Sequence, residues 1–446
     1  MKTLEQGPSL IFPPDKSSFS NLHLPFSIWA LSLSGFFLNF SSVVIFGCTP
    51  ILMIQFFNMK DVDAGALEGT VEGFALVIRA LSGMWSDFLS RRKPFIVWGF
   101  GICAFARFLL APAVWIEMII ASRFIEKLGN GLQASPREAF ISDVAPASMM
   151  GRAFGLNKAL IMAGSFMGSL FMLLLFIYKK NFDIRLLLWI ASAFSLLSFL
   201  LISYVKEPCV TKKSLTCVPL SQKLKGIIID VTQFPSSYWK VLGIICIFKL
   251  GYFSGTFLMC KMRSSHISFF GIPLYGEQEL ANSVFLFIQC LACSLLAYPF
   301  GKISDKLSRR SSVIIGFLLM IFALLCFIMQ DFSYMCYIGM TDLSYVVYGG
   351  IILYGLQMGT QGALMALLAS TIPHRLHGTG FGLFFFTTGL SIIFTNQVIM
   401  NRLAGACGQS YALLFITGCI MIGLVLLLWI TRSPGKLVPP AEKNSP

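Results

Sequence analysis

Seven polar or charged side chains recur within one otherwise apolar stretch: Arg123, Glu126, Lys127, Asn130, Gln133, Arg137 and Glu138. At about 100° per residue they fall on one face of a helix, while Phe124, Ile125, Leu128 and Leu132 take the opposite face. Such groups can pair with one another, bind a polar solute, or exchange a proton. They cannot face lipid, because a charge at the bilayer centre costs at least about 2.5 kcal/mol. The stripe is therefore either the wall of a water-filled cavity or a buried salt-bridge network that only holds helices together. A preceding stretch repeats the pattern: Glu68, Glu72 and Arg79 share one helical face. Glu72 and Arg79 are two turns apart, about 10 Å along the axis, so they do not touch directly. The partner of Glu72 is expected on another helix, at Arg107, Arg123 or Lys127. A carboxylate whose partner changes can take up and release a proton. Glu72 and Glu126 are thus the proton-exchange candidates, with a static ion pair as the alternative for each. Glu68, Arg79, Arg107, Arg137 and Lys158 complete an expected ion-pair network. For Lys158, simple neutralisation of a carboxylate on the 123–138 helix is the lesser role.

Candidate solute-binding residues are Arg123, Lys127 and Asn130 on that helix, Asn39 (with Ser41) near the start of the chain, Lys249 with Tyr252, and Gln357 with Gln361 one turn later. Gly350, Gly355 and Gly359 around the last pair read as helix-packing notches. No metal site is expected. Cys290 and Cys293 form a lone CxxC inside an apolar stretch and read as small packing residues. His374 and His377 lie in a loop. No phosphate loop, HExxH or nucleophile elbow occurs, so the residues point away from an enzyme.

These residues must be positioned by membrane-spanning helices. Hydrophobic residues make up 56% of the 446 and charged residues 12%, about half the charge of a soluble domain. Apolar stretches of about 20 residues, enough to cross a hydrocarbon core of roughly 30 Å, recur along the chain. Twelve helices are expected at 27–56, 64–85, 94–114, 117–141, 152–176, 185–205, 238–260, 279–301, 312–330, 344–371, 379–400 and 410–431. The first is too long for a signal-peptide core and reads as retained. A tail, 1–26, precedes it and another, 433–446, follows the last. The longest gap, 206–237, is Lys-rich and contains Pro208, Pro219 and Pro235. It divides the helices into bundles at 27–205 and 238–432. Within it Leu224, Ile227, Ile228, Val231 and Phe234 keep helical spacing, which suits either a surface-lying amphipathic helix or plain linker. With both termini in the cytoplasm, about 20 of the 34 Lys and Arg fall in cytoplasmic segments. The net charge of +14 is then mostly topology, and no nucleic-acid partner is expected.

Two motifs repeat in the same order. Gly83-Asp87-Arg91-Arg92 returns 218 residues on as Gly301-Asp305-Arg309-Arg310. Pro146, Gly151 and Phe154-Gly155-Leu156 return as Pro373, Gly378 and Phe381-Gly382-Leu383. The chain is a duplication, and in membrane proteins that symmetry commonly frames a pathway between halves.

These motifs resemble the major facilitator superfamily of secondary transporters over nearly the whole length. The GxxxDxxxRR signature is similar to that superfamily's loop between helices 2 and 3, repeated between helices 8 and 9. The first copy departs from the pattern, with Phe88 in place of a basic residue and Ser90 in place of Gly. The runs Arg123–Gly131, Ser135–Ala139 and Gly151–Gly155 resemble one branch of bacterial permeases, which implies no particular substrate. The resemblance implies an all-α integral membrane fold, two pseudo-symmetric six-helix bundles, and a central cavity lined by helices 1, 4, 7 and 10. It also implies that the signature acts as a gating latch at the cytoplasmic seam. Asp87, Arg91 and Arg92 would form it with Asp143, and Gly83 would let a neighbouring helix close in. Anchoring by positive charge with a helix cap is the plainer reading. The second copy, Gly301, Asp305, Arg309 and Arg310, lacks an acidic partner, since Ser370 stands at the matching point.

The expected function is secondary active transport across the cytoplasmic (inner) membrane by alternating access, as a proton symporter. Cations exceed deep acids within the helices, so the solute is expected to be small, polar and anionic. Efflux of amphipathic compounds or metabolites by the same fold is the alternative, and a non-transporting receptor or scaffold is another. No cofactor beyond a proton gradient is expected; the partners are a small-molecule substrate and the bilayer, and the protein is expected to act as a monomer.

Overall fold

The structure, a computed structural model, describes residues 24–89, 92–145, 149–179, 182–205, 234–264, 268–269, 271–274, 276–306, 309–335, 344–360, 364–365, 367–368, 371–372 and 377–431. The N-terminal half contains α1 (Phe26–Ile51), extended by a π turn at Leu52–Phe56, then α2 (Asp61–Leu89), α3 (Lys93–Leu110), α4 (Ile116–Val144), α5 (Met150–Tyr178) and α6 (Ile184–Ser203). The C-terminal half contains α7 (Ser236–Lys249), α8 (Gly255–Ser264), α9 (Gln278–Lys306), α10 (Arg309–Met335), α11 (Ser344–Gly359), α12 (His377–Phe394) and α13 (Gln409–Thr431). A two-residue hairpin, β1 (Ser268–Phe269) with β2 (Ile272–Pro273), closes the turn after α8.

Eight stretches among the described residues are long and apolar enough to cross a membrane. Long α2 and α4 are not among them. Their charges, not their length, set them apart, and packing resolves the conflict: α4 lies against α2 and α3, which shields much of its polar stripe. In a bilayer no water-driven force holds helices together, so close contact through small residues matters. A Cβ on Gly129 of α4 would sit 2.7 Å from the Gly99 carbonyl of α3, so only glycine allows that approach.

The sequence expectation fails in three places. A continuous helix over 238–260 is instead two, α7 and α8, separated by Leu250–Ser254. The helix expected over 344–371 is interrupted at Thr360 after Ser344–Gly359, and residues 364–365 and 367–368 are helical again. The helix expected to end near 400 continues through a nine-residue π segment, Thr395–Leu403, to Cys407. Within the linker, Leu224, Ile227, Ile228 and Val231 lie outside the described residues, whereas Phe234 is buried and stacks on Tyr238 at 4.3 Å.

The halves meet along α2 and α12, and along α5 and α9. Gly65, Gly69 and Gly73 line one face of α2 at four-residue spacing. A Cβ on Gly73 would lie 2.6 Å from the Gly389 carbonyl of α12, and one on Gly389 would lie 2.6 Å from the Gly73 carbonyl. The two backbones are therefore in direct contact. Nearer the start of α2, Arg263 of α8 pairs with Asp61 at 2.8 Å and donates to Gln278 at 3.0 Å. Asn282 of α9 donates to the Gly47 carbonyl of α1 at 2.8 Å, and Gln397 donates to Thr70 at 2.7 Å. These contacts join the halves at the end of the molecule remote from the signature.

Candidate functional site

The break between α7 and α8 exposes backbone groups that the surrounding side chains satisfy. Thr395 donates to the Leu250 carbonyl at 3.0 Å, Asn396 accepts from the Ser254 N–H at 3.0 Å, and Tyr354 donates to the Phe253 carbonyl at 3.2 Å. Irregular backbone at membrane depth persists only where protein or a cavity supplies such partners, and broken helices mark solute sites in transporters. Two of those partners come from the π segment of α12, a form of helix that is often found at functional sites.

Lys249 ends α7 and Tyr252 lies in the break. Lys249 is buried, and its ammonium lies 5.3 Å from the centre of the Tyr252 ring, a cation–π contact rather than an ion pair. Across the seam, Tyr252 lies close enough to Glu72 of α2 for each to feel the other's field. Glu72 Oε2 is buried with no hydrogen-bond partner. Lys127 and Arg123 are the cations whose fields reach Glu72, but neither forms an ion pair with it. Of the partners expected from sequence, Arg107 and Arg123 are engaged elsewhere. Gln357 is buried on α11 with Oε1 unpartnered, whereas Gln361 lies outside the described residues. Gly350 and Gly355 are notches: Cβ atoms there would lie 3.0 Å from Cys326 and 2.9 Å from Ala292.

The expected single ion-pair network divides in two. Arg123 holds Glu68 through two parallel hydrogen bonds of 2.7 Å and also reaches Glu126 Oε2. Arg107 holds Glu126 Oε1 at 2.8 Å, donates to the Leu38 carbonyl at 3.1 Å and reaches Ser42. All four charged residues are almost fully buried. Two acids offset two cations, and the cluster ties α1, α2, α3 and α4 together. Arg123 and Glu126, expected at a cavity wall and in proton exchange, are instead occupied inside the bundle. Asn130, also expected to line the cavity, accepts from Cys103 at 3.4 Å and from Gln133 at 3.3 Å within the α3–α4 packing. Asn39 donates to the Gly35 carbonyl of its own helix, and Ser41 donates to Ala191 of α6.

The second group lies nearer the signature. Arg79 pairs with Glu138 at 2.8 Å and its guanidinium lies 4.3 Å above the Phe385 ring of α12. Arg137 and Lys158 stand beside this pair. The Glu138 side chain is 52% exposed, and Lys158 is exposed as well.

At the signature, Arg92 lies 3.5 Å from Asp143 and donates to Ser86 at 2.8 Å. A Cβ on Gly83 would be 2.7 Å from the Ser135 hydroxyl, so α2 and α4 close in there. All these partners belong to the N-terminal half, so the Arg92–Asp143 pair does not itself bridge the halves. Arg91 lies outside the described residues, as do the side chains of Asp87, Asp305, Arg309 and Arg310; Gly301 lies on α9. A separate cavity of about 370 Å³, lined by Val97, Trp98, Phe105 and Phe199 among others, is apolar and opens on the exposed flank of α3. It suits an acyl chain rather than a polar solute.

Sequence reasoning missed the Gly65-Gly69-Gly73 face, the Asp61–Arg263 pair and Asn396. The four-residue glycine spacing was a usable signal for the first. The other two are contacts between distant segments, and neither carries a local pattern.

Fold and site together define a polytopic membrane protein built for solute passage between two halves. The Major Facilitator Superfamily model matches residues 31–396, and the chain belongs to that family. It is a transporter, not an enzyme. An uncharacterised MFS-type transporter of Methanocaldococcus jannaschii is 25% identical over 378 residues, covering 84% of this chain and 88% of that one. Among solved structures, a POT family transporter in complex with a thioalcohol-conjugated peptide aligns with a TM-score of 0.70 at 13% identity, over 93% of this chain and 97% of that one. A nucleoside transporter, NupG, aligns with a TM-score of 0.68 at 14% identity, over 91% and 99%. At these identities the structures share the fold.

Proposed function

We propose that the protein is a secondary active transporter moving a small polar organic anion across the cytoplasmic membrane, coupled to protons, by alternating access. Twelve crossings in two six-helix bundles, 27–205 and 238–432, with both termini and the 206–237 linker in the cytoplasm, form its frame. The observation that carries this reading is the arrangement at the α7–α8 break. A buried cation with no acidic partner among the described residues, Lys249, stands beside Tyr252, which lies near Glu72 in the other half. Lys249 offers a counter-charge to a carboxylate or phosphate. Glu72, having an unpartnered oxygen and lying on the seam, is the carboxyl best placed to change its proton when the halves part. Glu126, held by two arginines, is not. The solute site is then Lys127, Lys249, Tyr252 and Gln357, with Asn39 nearer the signature. The shared fold with a peptide-bound POT family transporter and a nucleoside transporter supports a small polar solute.

The contacts at the remote end support a state open toward the signature. With the signature cytoplasmic, that is the inward-open state, and the latch residues Asp87, Arg91, Arg92 and Asp143 would engage across the seam only in the opposite state. The solute class is tested by counterflow in proteoliposomes with matched organic anions and cations. Exchange confined to anions, and lost in Lys249→Gln, is expected. A preference for organic cations would overturn the anion assignment.

A further inference from the structure

Arg79, Arg137 and Lys158 surround one acid, Glu138, between the α7–α8 break and the signature end. Glu138 is already taken by Arg79. Among the described residues Arg137 and Lys158 have no ion pair, and the Nε atoms of both Arg79 and Arg137 are buried without hydrogen-bond partners. The Arg137 guanidinium lies against α1, where a Cβ on Gly35 would come within 3.8 Å of Nη1. Lys158 approaches from α5 and Phe385 closes the far side from the other half. Side chains from α2, α4, α5 and α12, with the backbone of α1 at Gly35, thus converge on one place.

Two spare cations at membrane depth demand an explanation, because each is costly without a counter-charge. Lipid cannot cover them, and Lys158 and Glu138 are exposed. Arginine's planar fork suits an oxyanion, and lysine supplies a point charge beside it. Arg137 is ten residues from Lys127 on α4, about 15 Å along the axis, so this place is distinct from the solute site at the break.

We infer that Arg137 and Lys158 form an anion subsite in the vestibule, which holds the carboxylate or phosphate group of the solute on its way to or from the break. Glu138 occupies Arg79 and so limits how tightly the group is held, keeping the station one of passage. The inference rests on the anion reading above, and the two can fail separately.

The test is thermal stabilisation of the purified full-length protein by inorganic phosphate, against chloride at matched ionic strength. A ligand of the folded state raises apparent stability saturably. The wild type is expected to show such a rise. The half-saturating phosphate concentration should increase about tenfold or more in Arg137→Gln and in Lys158→Gln, the loss of one charged contact. It should fall several-fold in Glu138→Gln. If Arg137→Gln does not fold, Lys158→Gln, at an exposed position, gives the same reading. Absence of a saturable rise in the wild type overturns the subsite. So does a rise unaffected by both substitutions, which would mark adventitious binding. Loss in Lys249→Gln with retention in Arg137→Gln and Lys158→Gln moves the anion to the break, overturning the subsite and sparing the anion reading. The anion reading itself fails in the counterflow experiment.

Discussion

Glu68, Arg123, Glu126 and Arg107 form a chain in which every carboxylate oxygen meets a guanidinium. Removing one member leaves a buried charge uncompensated, which costs about 3–5 kcal/mol. Arg123→Gln and Arg107→Gln are therefore expected to lower unfolding stability in detergent by that amount. Losses under about 1 kcal/mol would show the cluster to be open to water. Glu72 differs, because it has no ion pair to lose. Glu72→Gln is expected to keep the wild-type thermal stability and solute counterflow while abolishing proton-driven accumulation; unchanged accumulation would remove Glu72 from the coupling step. The sequence located these residues well, since charges in an apolar stretch stand out and helical spacing groups them on a face. It did not reveal which face points to cavity and which to a neighbour. Arg123 and Arg137 share a stripe on α4, yet one is sealed between α2 and α3 and the other lies against α1 at Gly35. That division depends on where α2 and α3 pack, which no single-helix pattern records.

At the scale of elements, the seam of α2 with α12 brings the two halves into contact. Gly73 and Gly389 permit backbone contact there. A leucine at Gly73 would place its Cβ 2.6 Å from the Gly389 carbonyl and hold the halves apart. In a chain carrying Asp61→Cys and Arg263→Cys, cross-linking by a bifunctional thiol reagent should fall several-fold when Gly73→Leu is added. Undiminished cross-linking would show that the seam does not control closure at the remote end. The α7–α8 break was the element least legible from sequence. Gly251, Ser254 and Gly255 hinted at it, but apolar residues on either side continue the helical pattern. The break is stabilised by Thr395, Asn396 and Tyr354, all more than a hundred residues away. The helices without breaks were legible within a few residues at most ends, because their length and apolar content are local properties.

For the whole molecule, duplication and family were readable from the two signature copies and the repeated Pro–Gly–PheGlyLeu motif, which hold their spacing in sequence alone. How the two halves meet was not, because it depends on contacts such as Asp61–Arg263 and Asn282–Gly47 between them. Those contacts join the halves at one end while Glu72, Tyr252 and Lys249 lie together in the middle, and in the proposed cycle this is one of its two states. The most direct test is accumulation of an organic anion identified by counterflow, in sealed proteoliposomes under an imposed pH gradient. The internal concentration should rise above the external one and collapse when a protonophore is added. Equilibration to equal concentrations, or accumulation indifferent to the protonophore, would contradict proton-coupled transport.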